Sequence, residues 1–457
     1  MDINNIKKIL NKEKNLKKEK IHDWKISYID EEKSSIYLTK NNAIETIIDS
    51  EREQVEITIY VKIGNKLGES SFTIFKNEET NKELENNLKK ELVEQKKLAK
   101  LSLNKIYELP SKKFSKKTRT TKEENVVKRA DQIIITAFEK KTITNKLFSL
   151  IKELSSQVKE EKNIELSSSE LIITLKRRKV LNSKGLEQKD ISTSVYVEAV
   201  LNSINKKTLK EQEYLANKKV VRIKDLKLKE FIKKDSEIAR DILRATNATG
   251  SITDNILLTG DALREYFSPN LGLNPLVFHC SAKIKNMKLS IFNFNEKVTT
   301  PNMTIISNPL IPFNINSNSF DSDGVSSKKV VLIDKGIFKN YFASKQYADY
   351  QKVNPTGELG VIEIGKGNNS PKELEKLALV EIIAFSSFSP NSVSGDFSAE
   401  IRLAYLHKKN KKIPIRAAMF SGNIFRIQHH LSSKIEEQQG YKGPDKVLVK
   451  GAVLSSL

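Results

Sequence analysis

The sequence has very few of the residues on which disulfide frameworks and metal clusters depend. Its 457 residues include one cysteine, Cys280, and five histidines. A lone cysteine excludes an intramolecular disulfide and any zinc site built from several thiolates. No apolar run approaches the roughly 20 residues that a transmembrane helix needs. The lysine-rich segment Met1 to Lys20 also lacks the apolar core of a signal peptide. We therefore expect a soluble, cytoplasmic protein.

Arginine is scarce although the chain is strongly basic. The formal net charge is +22, but only 12 of the 79 basic residues are arginine. Base readout and bidentate phosphate contacts favour arginine over lysine, so a nucleic-acid partner is not expected. The densest basic stretch, Lys112 to Arg119, lies in a Ser/Thr-rich segment that is typical of a flexible linker at 110–125. Such a loop could touch phosphate, but a solvated surface is the better interpretation.

The N-terminal region shows an α+β pattern. Apolar and polar residues alternate from Val55 to Ile63, which predicts a strand with one buried face. Gly64-Asn65 and Gly68 supply a turn before a second strand, Ser70 to Phe75. Leucines at near-helical spacing then predict a helix from about Glu79 to Ser102 that covers this hairpin.

After the linker, the pattern continues with helical character and two more strands. Ile133 to Val158 is mostly helical, although its first three isoleucines also suit a strand. Glu170 to Val180 and Ser192 to Leu201 are predicted strands. The order of elements indicates a sheet covered by helices rather than a doubly wound parallel sheet. We place a domain boundary near 203–225, with an N-terminal α+β domain over 1–215.

The C-terminal domain, 216–457, is predicted to be β-rich and to form a partly closed, barrel-like sheet. One or two helical turns are expected over Asp261 to Phe267, and a longer helix over Pro371 to Ser386. A tight turn is expected at Lys335-Gly336, because glycine tolerates positive φ. The predicted strands are Asn255 to Leu258, Met303 to Ser307, Lys329 to Asp334, Gly336 to Tyr341, Ser398 to Leu406 and Ile413 to Phe420.

An acidic run, Asp321-Ser322-Asp323-Gly324, precedes the predicted strand pair. It begins like a calcium-binding EF-hand loop, but the twelfth loop position would be Val330 rather than glutamate. A structural turn is the better interpretation, since aspartates accept backbone hydrogen bonds and glycine adopts unusual φ. Substrate binding or interface shape is the alternative role for this run and for a second motif. The six candidates are Asp321, Asp323, Gly324, Gly395, Asp396 and Phe397.

Three motifs of the C-terminal third resemble those of the TldD/PmbA family, which includes metallopeptidases. They are the acidic turn with the following Pro355-Thr356-Gly357, then Gly395-Asp396-Phe397-Ser398, and then Ser421-Gly422-Asn423. The chain looks closer to the PmbA branch, also called TldE, than to TldD. Members of the family have also been described as modulators of DNA gyrase.

One departure from TldD bears on catalysis. TldD-like members carry a helix with the pattern His-Glu-x-x-x-His, in which two histidines on one face bind zinc. The corresponding segment here, Leu258 to Ser268, contains no histidine. Its Asp261 and Glu265, with Arg264 between them, are interpreted as a solvated helix surface. Cys280 is expected to be a small buried hydrophobe.

The resemblance and the missing histidines leave several functional hypotheses. The first is a non-metal subunit, without its own cofactor or catalytic residues, that pairs with a zinc-containing TldD-like metallopeptidase and binds extended, unfolded peptides. The second is a stand-alone peptide- or protein-binding homodimer without peptidase activity. An autonomous metallopeptidase is the third, with a residual metal site assembled from His279, Cys280 and His429, or at the pair His429-His430.

Overall fold

The computed structural model describes residues 3–16, 20–40, 43–75, 81–112, 127–267, 274–300, 302–408, 411–438 and 440–457. Most of the predicted basic linker lies outside these ranges. Among the described helices, none is long and apolar enough to cross a membrane.

The N-terminal part is one antiparallel sheet with helices on one face. Its seven described strands have the order β4-β3-β2-β1-β5-β6-β7. The strands are β1 (Asp23–Leu38), β2 (Ile44–Ile63), β3 (Lys66–Phe75), β4 (Leu103–Lys105), β5 (Ile164–Asn182), β6 (Glu187–Asn205) and β7 (Lys210–Val220). The helices are α1 (Ile3–Lys14), α2 (Asn81–Ala99), α3 (Gln132–Glu139), α4 (Ile143–Glu160) and α5 (Leu228–Arg244).

Alternation along the strands decides which face the helices cover. On β1, Trp24, Ile26 and Ile36 are buried under helices. The same face of β5 and β6 buries Leu171, Ile173, Val195, Val197, Ala199 and Leu201. Successive side chains of a strand point to opposite faces. The other face of β1, β5 and β6 therefore carries the intervening, mostly polar residues, and this face borders a cleft.

The C-terminal part contains two further sheets. The strands are β8 (Thr246–Asn247), β9 (Ser251–Thr253), β10 (Ile256–Thr259), β11 (Ile305–Asn308), β12 (Val330–Asp334), β13 (Ile337–Phe338), β14 (Val361–Ile364), β15 (Val380–Pro390), β16 (Asp396–Lys408), β17 (Lys411–Arg416), β18 (Ala418–Asn423), β19 (Gln428–Leu431), β20 (Ile435–Gln438), β21 (Tyr441–Pro444), β22 (Lys446–Lys450) and β23 (Ala452–Ser456). The helices are α6 (Gly260–Phe267), α7 (Pro275–His279), α8 (Ala282–Asn286), α9 (Lys345–Gln351) and α10 (Pro371–Leu377).

The larger C-terminal sheet is curled into a half-barrel. Within the described ranges it has ten strands, with a main path β19-β22-β10-β15-β16-β18-β23-β9 and with β17 and β8 beside β16. The smaller sheet has the order β13-β12-β11-β14-β21-β20. A shared apolar core, which includes Leu263, Tyr266 and Phe267 of α6, joins the two sheets. This architecture confirms the predicted α+β class and the β-rich, partly closed C-terminal region.

Some predicted elements are confirmed and others are wrong. The turn at Lys335-Gly336 and the helix at Asp261 to Phe267 are present. The helix predicted over Pro371 to Ser386 ends at Leu377, and the next residues form β15. The β-branched residues of β15 pair with β10 and β16, so tertiary pairing overrides the local helical spacing.

The N-terminal hairpin is also longer than predicted. Strand β2 begins at Ile44, and Gly68 lies within β3 opposite Val61 rather than in the turn. A Cβ at Gly68 would overlap the backbone carbonyl of Ala99. The predicted domain boundary at residue 215 falls inside β7, which pairs with β6 of the N-terminal sheet.

Candidate functional site

A long cleft lies between the polar face of the N-terminal sheet and the C-terminal part. It consists of three neighbouring cavities, which we call the α6 cavity, the central cavity and the arginine pocket, with volumes of about 740, 820 and 630 Å³. Arg264 lines both the α6 cavity and the central cavity. Arg129 lines both the central cavity and the arginine pocket. The shared residues make the three cavities neighbours along the cleft.

Helix α6 forms part of the wall at one end of the cleft. It follows the buried strand β10 and begins at Gly260, whose φ of +56° suits glycine. The apolar residues of α6 turn into the core, which leaves Asp261, Arg264 and Glu265 on the cavity side. Arg264 lies 3.9 Å from Asp261 and 3.4 Å from Glu265. The two carboxylates border a cavity and remain about one-third exposed, at 33% and 31%, so their interpretation as a solvated helix surface stays a prediction.

The α6 cavity contains further acidic side chains. Asp235 of α5 is only 5% exposed and accepts a hydrogen bond from the Tyr214 hydroxyl at 3.2 Å. Burial raises the pKa of Asp235 to about 6, and it also raises the pKa of Glu265 and Glu436. Glu436 belongs to β20, one of the two edge strands of its sheet within the described ranges. This end of the cleft therefore combines acidic groups with a strand edge.

The central cavity is lined mainly by the polar face of the N-terminal sheet. Thr174 of β5 and Ser192, Ser194 and Tyr196 of β6 belong to this face. Lysines and arginines outnumber the acidic residues along the same wall: Lys33, Arg129, Lys176, Lys219 and Arg264 against Glu31. The middle of the cleft is therefore basic.

The arginine pocket lies at the opposite end from α6. Arg178 of β5 stacks on Phe320, with its guanidinium carbon 4.3 Å from the ring centroid, and donates a 2.6 Å hydrogen bond to the Phe320 carbonyl. Arg129 contacts Asp190. Burial, followed by the nearby charge of Arg178, lowers the pKa of Arg129 to about 10. Burial also lowers the pKa of Arg178.

The acidic turn joins the C-terminal part to the N-terminal sheet. The carboxylate of Asp321 accepts hydrogen bonds from the backbone N–H groups of Asp323 and Val325, both at 2.9 Å. Burial and the charge of Asp323 raise the pKa of Asp321 to about 7. Asp323 forms an ion pair at 2.8 Å with Lys25 of β1, and Gly324, with φ +82°, packs closely against Leu186.

Both aspartates are buried behind the wall of the arginine pocket, and their neighbour Phe320 lines it. A role for Asp321, Asp323 and Gly324 in substrate binding or interface shape stays a prediction.

The second predicted motif lies elsewhere in the fold. Gly395 precedes β16 with φ +79° and packs against Phe425. Asp396 is exposed and accepts hydrogen bonds from Ser394 Oγ at 2.8 Å and Asn423 Nδ2 at 2.8 Å. Phe397 is buried against Tyr266. The structure therefore brings this motif together with Ser421-Gly422-Asn423, through the pairing of β16 with β18, and not with the acidic turn.

The histidines and the cysteine are placed in separate environments. His429 is buried in β19, and its Nε2 lies 2.9 Å from the Tyr266 hydroxyl. His279 is buried beside Cys280, and its Nε2 lies 3.1 Å from the carbonyl of Val393. Cys280 is fully buried and donates to the Leu276 carbonyl at 3.1 Å. Within the described part of the chain, no group of three or more His, Cys, Asp or Glu residues is arranged to hold a metal ion.

Sequence reasoning missed the main groups that line the cleft. Asp235, Arg129 and Arg178 lie far apart in the chain and carry no local motif. The only available signal was the alternation within β5, in which Arg178 occupies the face opposite the buried Leu171 and Ile173.

Comparisons with known proteins agree with this architecture. Residues 267–456 match the family model of the PmbA/TldA metallopeptidase C-terminal domain. An uncharacterized protein of Methanocaldococcus jannaschii is 28% identical over 177 residues, covering 35% of this chain and 41% of that protein. The match thus spans less than half of that relative's length.

Solved structures match nearly the whole chain. A protein of Bacteroides thetaiotaomicron described as a modulator of DNA gyrase has a TM-score of 0.76 at 17% identity, with 100% of both chains covered. A Thermotoga maritima protein with a similar description has a TM-score of 0.74 at 17% identity, covering 98% of this chain and 99% of that one. TldE from Thermococcus kodakarensis has a TM-score of 0.73 at 14% identity, covering 99% and 100%. These likenesses show the shared fold, and the domain match shows that residues 267–456 form a PmbA/TldA-type metallopeptidase C-terminal domain.

Proposed function

We propose that this protein is a non-catalytic, TldE-like subunit that assembles in the cytoplasm with a separate TldD-like metallopeptidase. In this complex, the chain described here holds extended, unfolded peptides in its cleft. The partner supplies the zinc ion and cleaves the peptide. The chain itself contributes no cofactor.

The residues of α6 support the assignment of catalysis to a partner. The family's metallopeptidase domain implies a metal, and a zinc site requires several donors that converge on one point. On α6, the cationic Arg264 instead lies within 4 Å of the carboxylates of both Asp261 and Glu265. A guanidinium has no lone pair to offer a metal, and it repels a dication. These residues do not fit a zinc site, so we derive no catalytic step on this chain.

The edge of β20 is the observation that carries the peptide-binding proposal. Strand β20 pairs with β21 on one side and is one of the two edge strands of its sheet within the described ranges. Its residues Glu436, Glu437 and Gln438 line the α6 cavity. An extended peptide can add to such an edge through main-chain hydrogen bonds, which recognise any sequence in the extended conformation. Unfolded peptides of any sequence can adopt this extended conformation, so binding of this type suits them as substrates.

Co-purification and peptidase assays test the proposal. The tagged chain is co-expressed with a TldD-like protein that carries the His-Glu-x-x-x-His helix, and each protein is also purified alone. We expect a stable heteromeric complex that cleaves an unstructured peptide, zinc only in the partner, and no cleavage by this chain alone. The control is a complex whose partner has both zinc-binding histidines replaced by alanine, which should assemble without cleaving.

Two outcomes contradict the proposal. A homodimer that neither binds the partner nor changes its activity favours the stand-alone binding protein. Stoichiometric zinc in the isolated chain, with cleavage that a chelator abolishes, favours an autonomous metallopeptidase.

Peptide binding by β20 has its own test. A peptide N-methylated at two consecutive residues keeps its side chains but carries an N-methyl group, and lacks a donor, on both of its strand edges. We expect it to bind the chain more weakly than the unmodified peptide. Equal affinities would contradict binding through the strand edge.

A further inference from the structure

The arginine pocket contains a cationic side chain whose charge is not matched by a direct partner. Asp190 contacts Arg129 and also accepts a hydrogen bond from Ser319 at 3.1 Å. Arg178 forms no ion pair within 4 Å among the described residues, and its one hydrogen bond is to the carbonyl of Phe320. The carboxylates of Glu358 and Asp321 lie close enough to act on its pKa but do not bond to it. A guanidinium has five N–H donors, so most of those of Arg178 remain available.

The surroundings of Arg178 hold it in a fixed orientation. The Phe320 ring covers the face of the guanidinium, and the carbonyl of the same residue fixes one edge. The acidic turn holds Phe320 in place through the hydrogen bonds of Asp321 and the ion pair between Asp323 and Lys25. A planar guanidinium that is already oriented binds a carboxylate with two parallel hydrogen bonds and loses little side-chain entropy.

The neighbouring Arg177 provides an internal comparison. It precedes Arg178 on β5, but its guanidinium bonds to Asp30 at 3.1 Å and Glu32 at 2.6 Å. Adjacent residues of a strand point to opposite faces, so the two side chains leave β5 on opposite sides, although both residues border the arginine pocket. Asp30 and Glu32 neutralise the charge of Arg177, whereas Arg178 forms no ion pair with the described residues.

The charge along the cleft changes sign between its two ends. Six acidic side chains line the α6 cavity beside four basic ones: Glu230, Asp235, Asp261, Glu265, Glu436 and Glu437, against Lys218, Lys234, Arg264 and Arg402. The central cavity is basic, and the arginine pocket closes the other end. A peptide in the cleft is therefore favoured with its amino end near α6 and negative charge near Arg178.

We propose that the arginine pocket binds a carboxylate group of the bound peptide, with Arg178 as its main contact. This inference rests on the proposed peptide-binding function and adds a specificity-determining residue to it. The carboxylate comes from the C-terminus of the peptide or from an Asp or Glu side chain. Both sources present the same planar anion to the guanidinium.

Fluorescence anisotropy with four peptides of one sequence tests the proposal. Each peptide is labelled at its N-terminus and binds the full chain at moderate salt. One ends in a free carboxylate and has no acidic side chain; the second is its C-terminal amide. The third is the amide with one internal Glu, and the fourth is the amide with Gln at that position. We expect a carboxylate peptide to bind at least about tenfold more tightly than its neutral counterpart, as is usual for a charge-assisted hydrogen bond.

The comparison between the pairs identifies the source of the carboxylate. Discrimination in the first pair alone assigns the pocket to the C-terminus, and discrimination in the second pair assigns it to an acidic side chain. Arg178→Gln should abolish the discrimination, and Arg178→Lys, which keeps the charge but loses the planar fork, should reduce it. The matched control Arg240→Gln removes an arginine charge outside the three cavities, where Arg240 pairs with Glu161 at 2.9 Å, and it should retain the discrimination. Circular dichroism checks that each variant is folded, and Arg178→Lys serves if Arg178→Gln does not fold.

The outcomes separate this inference from the function on which it rests. If all four peptides bind equally well, or if Arg178→Gln and Arg178→Lys both discriminate as the unmodified chain does, the carboxylate pocket is refuted while peptide binding stands. If no peptide binds at any accessible concentration, the peptide-binding function fails and the pocket proposal fails with it.

Discussion

Mild acid should destabilise this protein through His429. The imidazole is 4% exposed, and its Nε2 is hydrogen-bonded to the Tyr266 hydroxyl. Its Nδ1 is buried without a hydrogen-bond partner among the described residues. Protonation would place a second N–H donor and a charge in this apolar site. Burial, with a smaller contribution from His430, lowers the pKa of His429 to about 3.

The sign and size of the effect follow from proton linkage. The unfolded chain binds a proton at His429 below about pH 6.5, whereas the folded chain stays neutral until about pH 3. The unfolded state therefore binds more protons across this window, and stability falls as the pH falls. Between pH 7.5 and pH 5, the full shift corresponds to about 2 kcal/mol of lost stability. Local relaxation reduces this value, so we expect about 1–2 kcal/mol.

Urea denaturation of the unmodified chain and His429→Gln at pH 7.5 and pH 5 measures the effect. Glutamine does not titrate and can hydrogen-bond to the Tyr266 hydroxyl. The unmodified chain should lose about 1–2 kcal/mol more than the variant on acidification. His430→Gln is the matched control, because His430 is the adjacent, partly exposed residue and should contribute less. If the unmodified chain and His429→Gln lose equal stability, the reasoning about a buried neutral imidazole is refuted.

Two further predictions concern the packing of a glycine and the protonation of a buried carboxylate. Gly357 has φ +77°, and a Cβ there would lie 2.6 Å from Ser327 Cα, whereas Gly64, with φ +55°, has no atom within 4 Å of its Cβ position. Gly357→Ala should therefore lower the free energy of unfolding by about 1–3 kcal/mol more than Gly64→Ala, measured by urea denaturation, and equal losses would show that the close approach has no energetic effect. Burial raises the pKa of Asp235 to about 6. The folded state therefore binds more protons than the unfolded state between about pH 4 and 6, and the stability of the protein falls as the pH rises through this window. Asp235→Asn should be more stable than the unmodified chain by about 1–2 kcal/mol at pH 7.5 and should lose this advantage near pH 4. A gain in stability that is independent of pH would contradict the raised pKa of Asp235 as its cause.

Local patterns predicted some elements well because their signal lies within one short segment. The alternation from Val55 to Ile63 predicted part of β2, and Lys335-Gly336 predicted the turn between β12 and β13. The error at Pro371 to Ser386 has the opposite cause. Helical spacing was correct for α10, but the following residues form a strand because β10 and β16 are available to pair with it.

The sequence by itself predicted the family resemblance and showed that Leu258 to Ser268 contains no histidine, because both depend on residue identity at short spacing. Tertiary structure alone decided that Asp235, Glu265 and Glu436 line one cavity and that Arg178 lies at the far end of the same cleft. These residues belong to different elements, and only the pairing of long strands and the packing of the C-terminal part against the N-terminal sheet bring them together. Sequence and tertiary structure both contribute to the account of the acidic turn. Its residues carry the family resemblance, whereas its ion pair with Lys25 and its neighbour Phe320 link it to the cleft.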